Sequence, residues 1–309
     1  MKLQMIRKTK DPGIGEKYDK KSHRIINQNG TFNVQRVGRQ SRIKDIYLLM
    51  VTTSWTNFIF FTALYLIGIN LIFACLYFFV GVHHIEGVDH TTGWKGFADA
   101  FFFSVQTFTT VGYGSMYPDS FGVKAISSFE ALLGLLITAL TTGLLFSRFS
   151  RPTARVVFSK NALITEYKNG KKAFMFRMVN ERKENLLETN ATVILSLQNK
   201  TSDGSYSRKY YNLDLQIDHI YFFPLTWTVV HEIDEDSPFF NLSHQELKDY
   251  DAEILIIITS YDEAFYEDLH IKHSYHIDDF VWDKKFKKAF YTNDHGEVIL
   301  KVKDVHTIE

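Results

Sequence analysis

Thr109-Thr110-Val111-Gly112-Tyr113-Gly114 stands between two long apolar runs, and its reading decides what this chain can fold into. A cation stripped of water needs a ring of oxygens in place of its hydration shell, and backbone carbonyls from several strands can supply one. Carbonyls that all face one way demand backbone angles that β-branched residues alone do not supply, and Gly112 and Gly114 provide them. On this reading Thr110, Val111, Gly112, Tyr113 and Gly114 are a selectivity filter, with potassium held along Thr110, Val111, Gly112 and Tyr113. Thr110 adds its hydroxyl at the inner end, while Val111 and Tyr113 point away and pack against the short helix before them. One chain supplies one strand, so a homotetramer is required.

The flanks agree. Residues 58–80 read FIFFTALYLIGINLIFACLYFFV, with no charge and one Asn. At a rise of about 1.5 Å per residue this is enough helix to cross a hydrocarbon core of about 30 Å. Apolar side chains occupy every face of it rather than a stripe, which argues against a buried helix of a soluble protein. A second span, 123–147, carries Glu130, Gly134 and Gly143. An intramembrane carboxyl faces protein or water rather than lipid, and small residues permit close contact, so this span reads as the inner, pore-facing helix. Between the spans, 97–110 (FADAFFFSVQTFTT) is apolar but too short to cross, as a re-entrant helix would be. The expected pore unit is therefore 57–152, with an outer helix at 57–80, a pore helix at 97–110, the filter at 110–114 and an inner helix at 122–149.

Charge sets the orientation. Arg36, Arg39, Arg42 and Lys44 precede the first span, Arg148, Arg151 and Arg155 follow the second, and the loop between holds Lys95 as its one Lys or Arg. The excess of Lys and Arg outside that loop predicts a multi-pass plasma-membrane protein with both termini in the cytoplasm. The four Asn-X-Ser/Thr sequons, at Asn29, Asn190, Asn199 and Asn241, then lie on the wrong side for glycosylation. Residues 1–40 read as a cytoplasmic segment and 41–56, which mixes Arg42, Lys44 and Asp45 with apolar residues, as an interfacial helix. The 35 basic residues balance 35 acidic ones, which argues against a nucleic-acid partner, and the single Cys75 rules out an intrachain disulfide.

Beyond the second span, 153–309 reads as a β domain. Runs such as 191–197 (ATVILSL) and 253–259 (EILIIIT) are short, rich in β-branched residues and separated by turns such as Asn169-Gly170 and Asp203-Gly204. This spacing predicts an antiparallel, immunoglobulin-like sandwich. Ser243 is a candidate N-cap for a short helix. His270, His273 and His276 are spaced by three, but on a strand His273 faces away from the other two. The acidic run 232–236 fits a hydrogen-bonded turn better than a cation site. Asp262 and Glu263 read either as acids concentrating cations at a pore mouth or as a solvated turn.

Three further segments carry a family resemblance: Arg148-Phe149-Ser150-Arg151-Pro152-Thr153, Phe176-Arg177-Met178-Val179-Asn180-Glu181-Arg182-Lys183, and His231-Glu232-Ile233-Asp234-Glu235-Asp236-Ser237-Pro238. Together with the filter they resemble the inward-rectifier potassium channels, and its prokaryotic members above all, over residues 39–280. The resemblance implies a voltage-independent, lipid-modulated channel with a cytoplasmic regulatory domain and no cofactor, potassium being the cargo. It implies a gate at Phe146 and contacts to anionic, phosphoinositide-like head groups at Arg148 and Arg151, with Arg42 and Lys44 beside them. Basic residues near an anionic leaflet gain about 1 kcal/mol each. Gln106 and Thr109 fall where the filter is supported, Thr138 in the cavity, and Ser260, Tyr261, Asp262 and Glu263 at the cytoplasmic pore loop. Departures from animal members favour a bacterial channel: Thr138 replaces an acid of strong rectifiers, Gln106 a glutamate, Met116 its arginine partner, and Ser260 a glycine.

Rival classes lack their signatures. The cytoplasmic half holds no Gly-X-Gly-X-X-Gly turn for a nucleotide-binding regulator, and the chain has no phosphate loop, Gly-X-Ser-X-Gly elbow or His-Glu-X-X-His of an enzyme. A β module merely tethered by two spans would leave Glu130 and the filter sequence unexplained.

Overall fold

The computed structural model describes residues 9–21, 24–38, 43–150 and 155–309, and the backbone alone at residues 43, 44 and 169. The chain divides into two compact units, Gly38–Arg151 and Met1–Val37 with Pro152–Glu309.

The first unit is helical: α1 (Ile43–Thr52), α2 (Trp55–Val80), α3 (Gly93–Phe108) and α4 (Phe121–Phe149). The helix expected at 41–56 ends at Thr52 because Ser54 starts a new one, its hydroxyl accepting from Asn57 N at 3.3 Å. Helix α3 starts at Gly93 rather than at residue 97. Its first turn is Gly-Trp-Lys-Gly, which has poor helix propensity and no apolar stripe, so periodicity alone missed it. Ser120 caps α4 by accepting from Val123 N at 3.3 Å. The interior is built from Phe73, Ala74 and Tyr77 of α2, Ala100 and Phe103 of α3, and Val123 of α4.

Only 17% of the most apolar window of α2 and 11% of that of α4 is buried within the chain. Side chains such as Phe60, Leu64, Ile72, Leu132 and Leu136 are bare. A core helix of a soluble protein would hide them. Here they face whatever surrounds the chain, and apolar surface on that scale needs lipid or a partner.

The second unit is a β-sandwich of strands β1 (Lys17–Tyr18), β2 (Val156–Phe158), β3 (Ala162–Glu166), β4 (Lys172–Asn180), β5 (Leu186–Lys200), β6 (Tyr206–Asn212), β7 (His219–Phe222), β8 (Thr226–Ile233), β9 (Glu253–Asp262), β10 (Glu267–His276) and β11 (Phe280–Trp282). One sheet runs β1-β6-β5-β9-β10, with β7 also on β5, and the other runs β8-β4-β3-β11, with β2 also on β4. Phe174, Phe176 and Met178 of β4 and Trp227 of β8 meet Leu195, Leu197, Ile254, Ile256 and Tyr275 between the sheets. The sandwich is not wholly antiparallel, since β11 lies parallel to β3 (Phe280 opposite Ala162). The short helix α5 (His244–Asp249) has a full capping box, with Ser243 N donating to Glu246 Oε2 at 2.8 Å and Glu246 N to Ser243 Oγ at 3.3 Å.

The N-terminal stretch is part of this unit, which corrects the expectation of a separate segment. Lys17 and Tyr18 extend the sheet beside Ser207 and Tyr206. The backbone amides of Ile25 and Ile26 donate to the buried carboxylate of Glu253 at 2.9 and 3.2 Å. Arg24 reaches Asp279 at 2.8 Å and also Ser274. Hydrophobic patterning could not reveal this, because polar side chains and main-chain amides make the attachment.

Candidate functional site

The backbone sign alternates through the motif. Thr110, Gly112 and Gly114 have φ of +57°, +53° and +81°, whereas Val111 and Tyr113 do not enter the left-handed region. In an ordinary strand successive carbonyls face opposite sides. Reversing the hand at every second residue turns them to one side, the arrangement a column of cation sites needs. The sequence accounted for the two glycines but not for Thr110, a β-branched residue in a conformation that costs about 1–2 kcal/mol.

The end of α3 holds this strand. Gln106 O accepts from Val111 N at 3.0 Å and Gly112 N at 3.4 Å, and Thr110 N donates to Thr107 O at 3.1 Å. Thr109 closes the helix, its hydroxyl donating to Val105 O at 2.7 Å. The Gln106 side chain is buried, and neither its Oε1 nor its Nε2 has a partner among the described residues. It lines a hollow of about 370 Å³ shared with Thr107, Thr110, Gly112, Met116 and Ser127. Val111 and Tyr113, expected to pack on the short helix before them, stay largely open. They are 52% and 82% exposed within a single chain.

Glu130 faces protein, not a pore. It is fully buried, with Tyr77 Oη 2.5 Å from Oε2 and Ser104 Oγ 2.5 Å from Oε1. Ser104 Oγ also stands 3.1 Å from Asn70 Oδ1. The sequence offered a signal: the one Asn of the first span and the one acid of the second have to find polar company in the same apolar unit. On the bare side of α4, Thr138, Thr142 and Phe146 recur every four residues and all are exposed, Phe146 by 72%.

Arg148 is occupied by protein. Its Nη1 donates to Met50 O at 2.5 Å and Val51 O at 3.1 Å, and its Nη2 to Thr53 O at 2.8 Å, capping the last turn of α1. The guanidinium lies 4.6 Å from the ring centroids of both Trp55 and Phe58. Arg42 and Arg151 lie outside the described residues, and so does the Lys44 side chain.

Strand alternation corrects the cytoplasmic loop. Ser260 and Asp262 point inward and are buried. Ser260 Oγ donates to Leu187 O at 3.0 Å, and the Asp262 carboxylate accepts from Ala264 N at 2.9 Å. Asp262 thus builds the turn rather than lining a mouth, while Tyr261 is half-buried and Glu263 exposed. Among the three histidines, His273 stacks on Phe158 at 4.4 Å and His276 sits 3.5 Å from Asp251, so they serve different partners. Burial holds His273 down at about 4, although a hydrogen bond to Gln28 O opposes the shift. Asp251 raises His276 above its usual value. In the acidic run, Asp236 N donates to Asp234 Oδ1 at 3.2 Å and His231 Nε2 lies 2.8 Å from Ser237 Oγ, which makes it a turn.

Comparison with known proteins fits this geometry. Residues 156–309 match the inward rectifier potassium channel C-terminal domain family, and 43–151 match the ion channel family. Inward rectifier potassium channel Kirbac3.1 of Paramagnetospirillum magnetotacticum is 34% identical over 297 residues, covering 95% of this chain and 98% of the relative.

The chain belongs to the inward rectifier potassium channel family.

Inward rectifier potassium channel 4 of Homo sapiens and of Rattus norvegicus are each 27% identical over 310 residues, covering 88% of this chain and 69% of the relative. This inward rectifier is therefore a membrane protein and a potassium channel subunit, and its family is one of ion channels rather than enzymes. The helical unit corresponds to the ion channel match and the sandwich to the C-terminal domain match.

Proposed function

We propose that residues 110–114 are the selectivity filter of this channel and that four copies assemble around it in the plasma membrane, with both termini cytoplasmic. The carrying observation is the alternating hand of Thr110, Val111, Gly112, Tyr113 and Gly114. It supports carbonyls facing one side, where they replace the water of a potassium ion. Exposure of Val111 and Tyr113 supports burial of these side chains against a neighbouring copy. Gln106 and Thr109 hold the strand from behind, α2 is the outer helix, and α4 lines the path with Thr138 at the cavity and Phe146 at the constriction.

The sandwich regulates this pore, and α1 lies in the inner leaflet. Anionic head groups of the phosphoinositide kind bind the basic junction of Arg42, Lys44 and Arg151, with Arg148 shaping that junction by holding the end of α1. Tyr261 and Glu263 are the outward members of the cytoplasmic loop.

Purified protein in vesicles, assayed for potassium against sodium uptake with and without an anionic phosphoinositide, tests the reading. Potassium-favouring uptake that disappears in Gly112→Val is expected. A protein that stays monomeric in detergent and bilayer would sink the filter assignment, and uptake indifferent to the lipid would sink the regulatory one.

A further inference from the structure

Four polar side chains meet inside the helical unit, Asn70 and Tyr77 from α2, Ser104 from α3 and Glu130 from α4. Tyr77, Ser104 and Glu130 have no accessible surface even in a single chain, so neither lipid nor a second copy touches them. Whatever hydrogens this cluster uses must come from its own members.

They can be counted. Three oxygen pairs are in hydrogen-bonding range: Tyr77 Oη with Glu130 Oε2, Ser104 Oγ with Glu130 Oε1, and Ser104 Oγ with Asn70 Oδ1. Each needs one hydrogen. The Tyr77 hydroxyl brings one and the Ser104 hydroxyl another. Asn70 brings none, because its Nδ2 donates to Leu66 O at 2.8 Å, which fixes the amide with its oxygen toward Ser104. One serine hydrogen cannot serve both Glu130 and Asn70. The third has to sit on the carboxyl of Glu130.

We infer that Glu130 is a neutral carboxylic acid that donates to Ser104, and that it is a positioning residue for the filter. Tyr77 O–H then donates to Glu130 Oε2, Glu130 O–H to Ser104 Oγ, Ser104 O–H to Asn70 Oδ1, and Asn70 Nδ2–H to Leu66 O. Every member is satisfied in one direction along the chain. The three neighbours are neutral, and a carboxylate among neutral groups at membrane depth is costly, which agrees with the count. The chain of bonds ties three helices together at Ser104, two residues before Gln106, whose carbonyl receives the amides of Val111 and Gly112. Fixing Ser104 therefore fixes the height and rotation at which α3 presents the filter strand.

The positioning half rests on the filter assignment above, whereas the proton half does not. Infrared difference spectra of the full chain in vesicles at neutral pH, native against Glu130→Gln, test the proton directly. A carbonyl stretch of a protonated carboxyl present only in the native protein is expected, and its absence overturns the neutral acid. Glutamine reproduces that acid's pattern, with Nε2 donating to Ser104 and Oε1 accepting from Tyr77. Potassium uptake and potassium-to-sodium discrimination of Glu130→Gln should stay within about twofold of native, while Glu130→Leu loses discrimination about tenfold or more. If Glu130→Leu does not assemble, Ser104→Ala takes its place, since it removes two of the three contacts with little change in volume. Damage from Glu130→Gln as large as from Glu130→Leu overturns the neutral acid. Native discrimination in an assembled Glu130→Leu or Ser104→Ala overturns the positioning role. Lack of potassium selectivity in the native protein would instead strike the filter assignment and leave the infrared result standing.

Discussion

A Cβ added to Gly134 would lie 2.1 Å from the carbonyl oxygen of Phe108, so α4 touches the end of α3 backbone to backbone. No side chain can yield there. Gly143, further along the same helix, has nothing within 4 Å of the equivalent point.

Gly134→Ala should therefore force the two helices apart, at a cost of about 1–3 kcal/mol. The thermal midpoint of the detergent-solubilised protein should fall and potassium uptake should weaken. Gly143→Ala should leave both at or above native, because alanine favours helix by about 1 kcal/mol where nothing obstructs it. Equal effects from the two substitutions would show that the contact is unimportant.

Arg148 spans the carbonyls of Met50, Val51 and Thr53 with a planar fork, a geometry that the point charge of lysine does not reproduce. Arg148→Lys should let the last turn of α1 fray. Hydrogen exchange across residues 49–53 should accelerate about fivefold or more, and Trp55 emission should shift as its cation partner leaves. Unchanged exchange would return Arg148 to the list of free lipid contacts.

Phe146 is exposed on the face that also carries Thr138 and Thr142. If four such rings close the path, Phe146→Ala should raise resting potassium leak in vesicles. Leak equal to native removes Phe146 as the gate.

The β unit should respond to pH in opposite senses at two histidines. Burial keeps His273 neutral down to about 4, from a usual value of 6.5. Its contribution, about 3 kcal/mol, is complete above 6.5 and is lost as pH falls from there toward 4. His276, raised by Asp251, contributes below 6.5 and loses that contribution as pH rises through its raised value. Asp251 is pushed up by burial but held down, at about 2, by His276 and Lys21, so its share persists until pH falls through that value. Thermal midpoints of the full chain between about pH 5 and 8 should decline less on the acid side for His273→Phe and less on the alkaline side for His276→Gln. Profiles parallel to native would refute the assignments.

The two long apolar helices and the left-handed glycines at 112 and 114 were legible because membranes and desolvated cations impose strong local rules. An uncharged apolar run long enough to cross, and glycines where a carbonyl column needs them, leave few alternatives. Thr110 was not legible as a left-handed residue, since nothing local favours it and the end of α3 imposes it. The inward turn of Asp262 needed the register of its strand. The occupation of Arg148 needed the break at Ser54, which a periodic reading runs through. Partners separated by long stretches of chain, as Ile25 and Glu253 are, leave no mark in any short window.

Because Lys17, Tyr18 and residues 24–26 bind the β unit, the polypeptide leaves that unit to enter α1 and returns to it after α4. The β unit is thus joined through the chain to both ends of the helical unit. A cut through either connection alone would therefore leave the helical unit still tethered by the other.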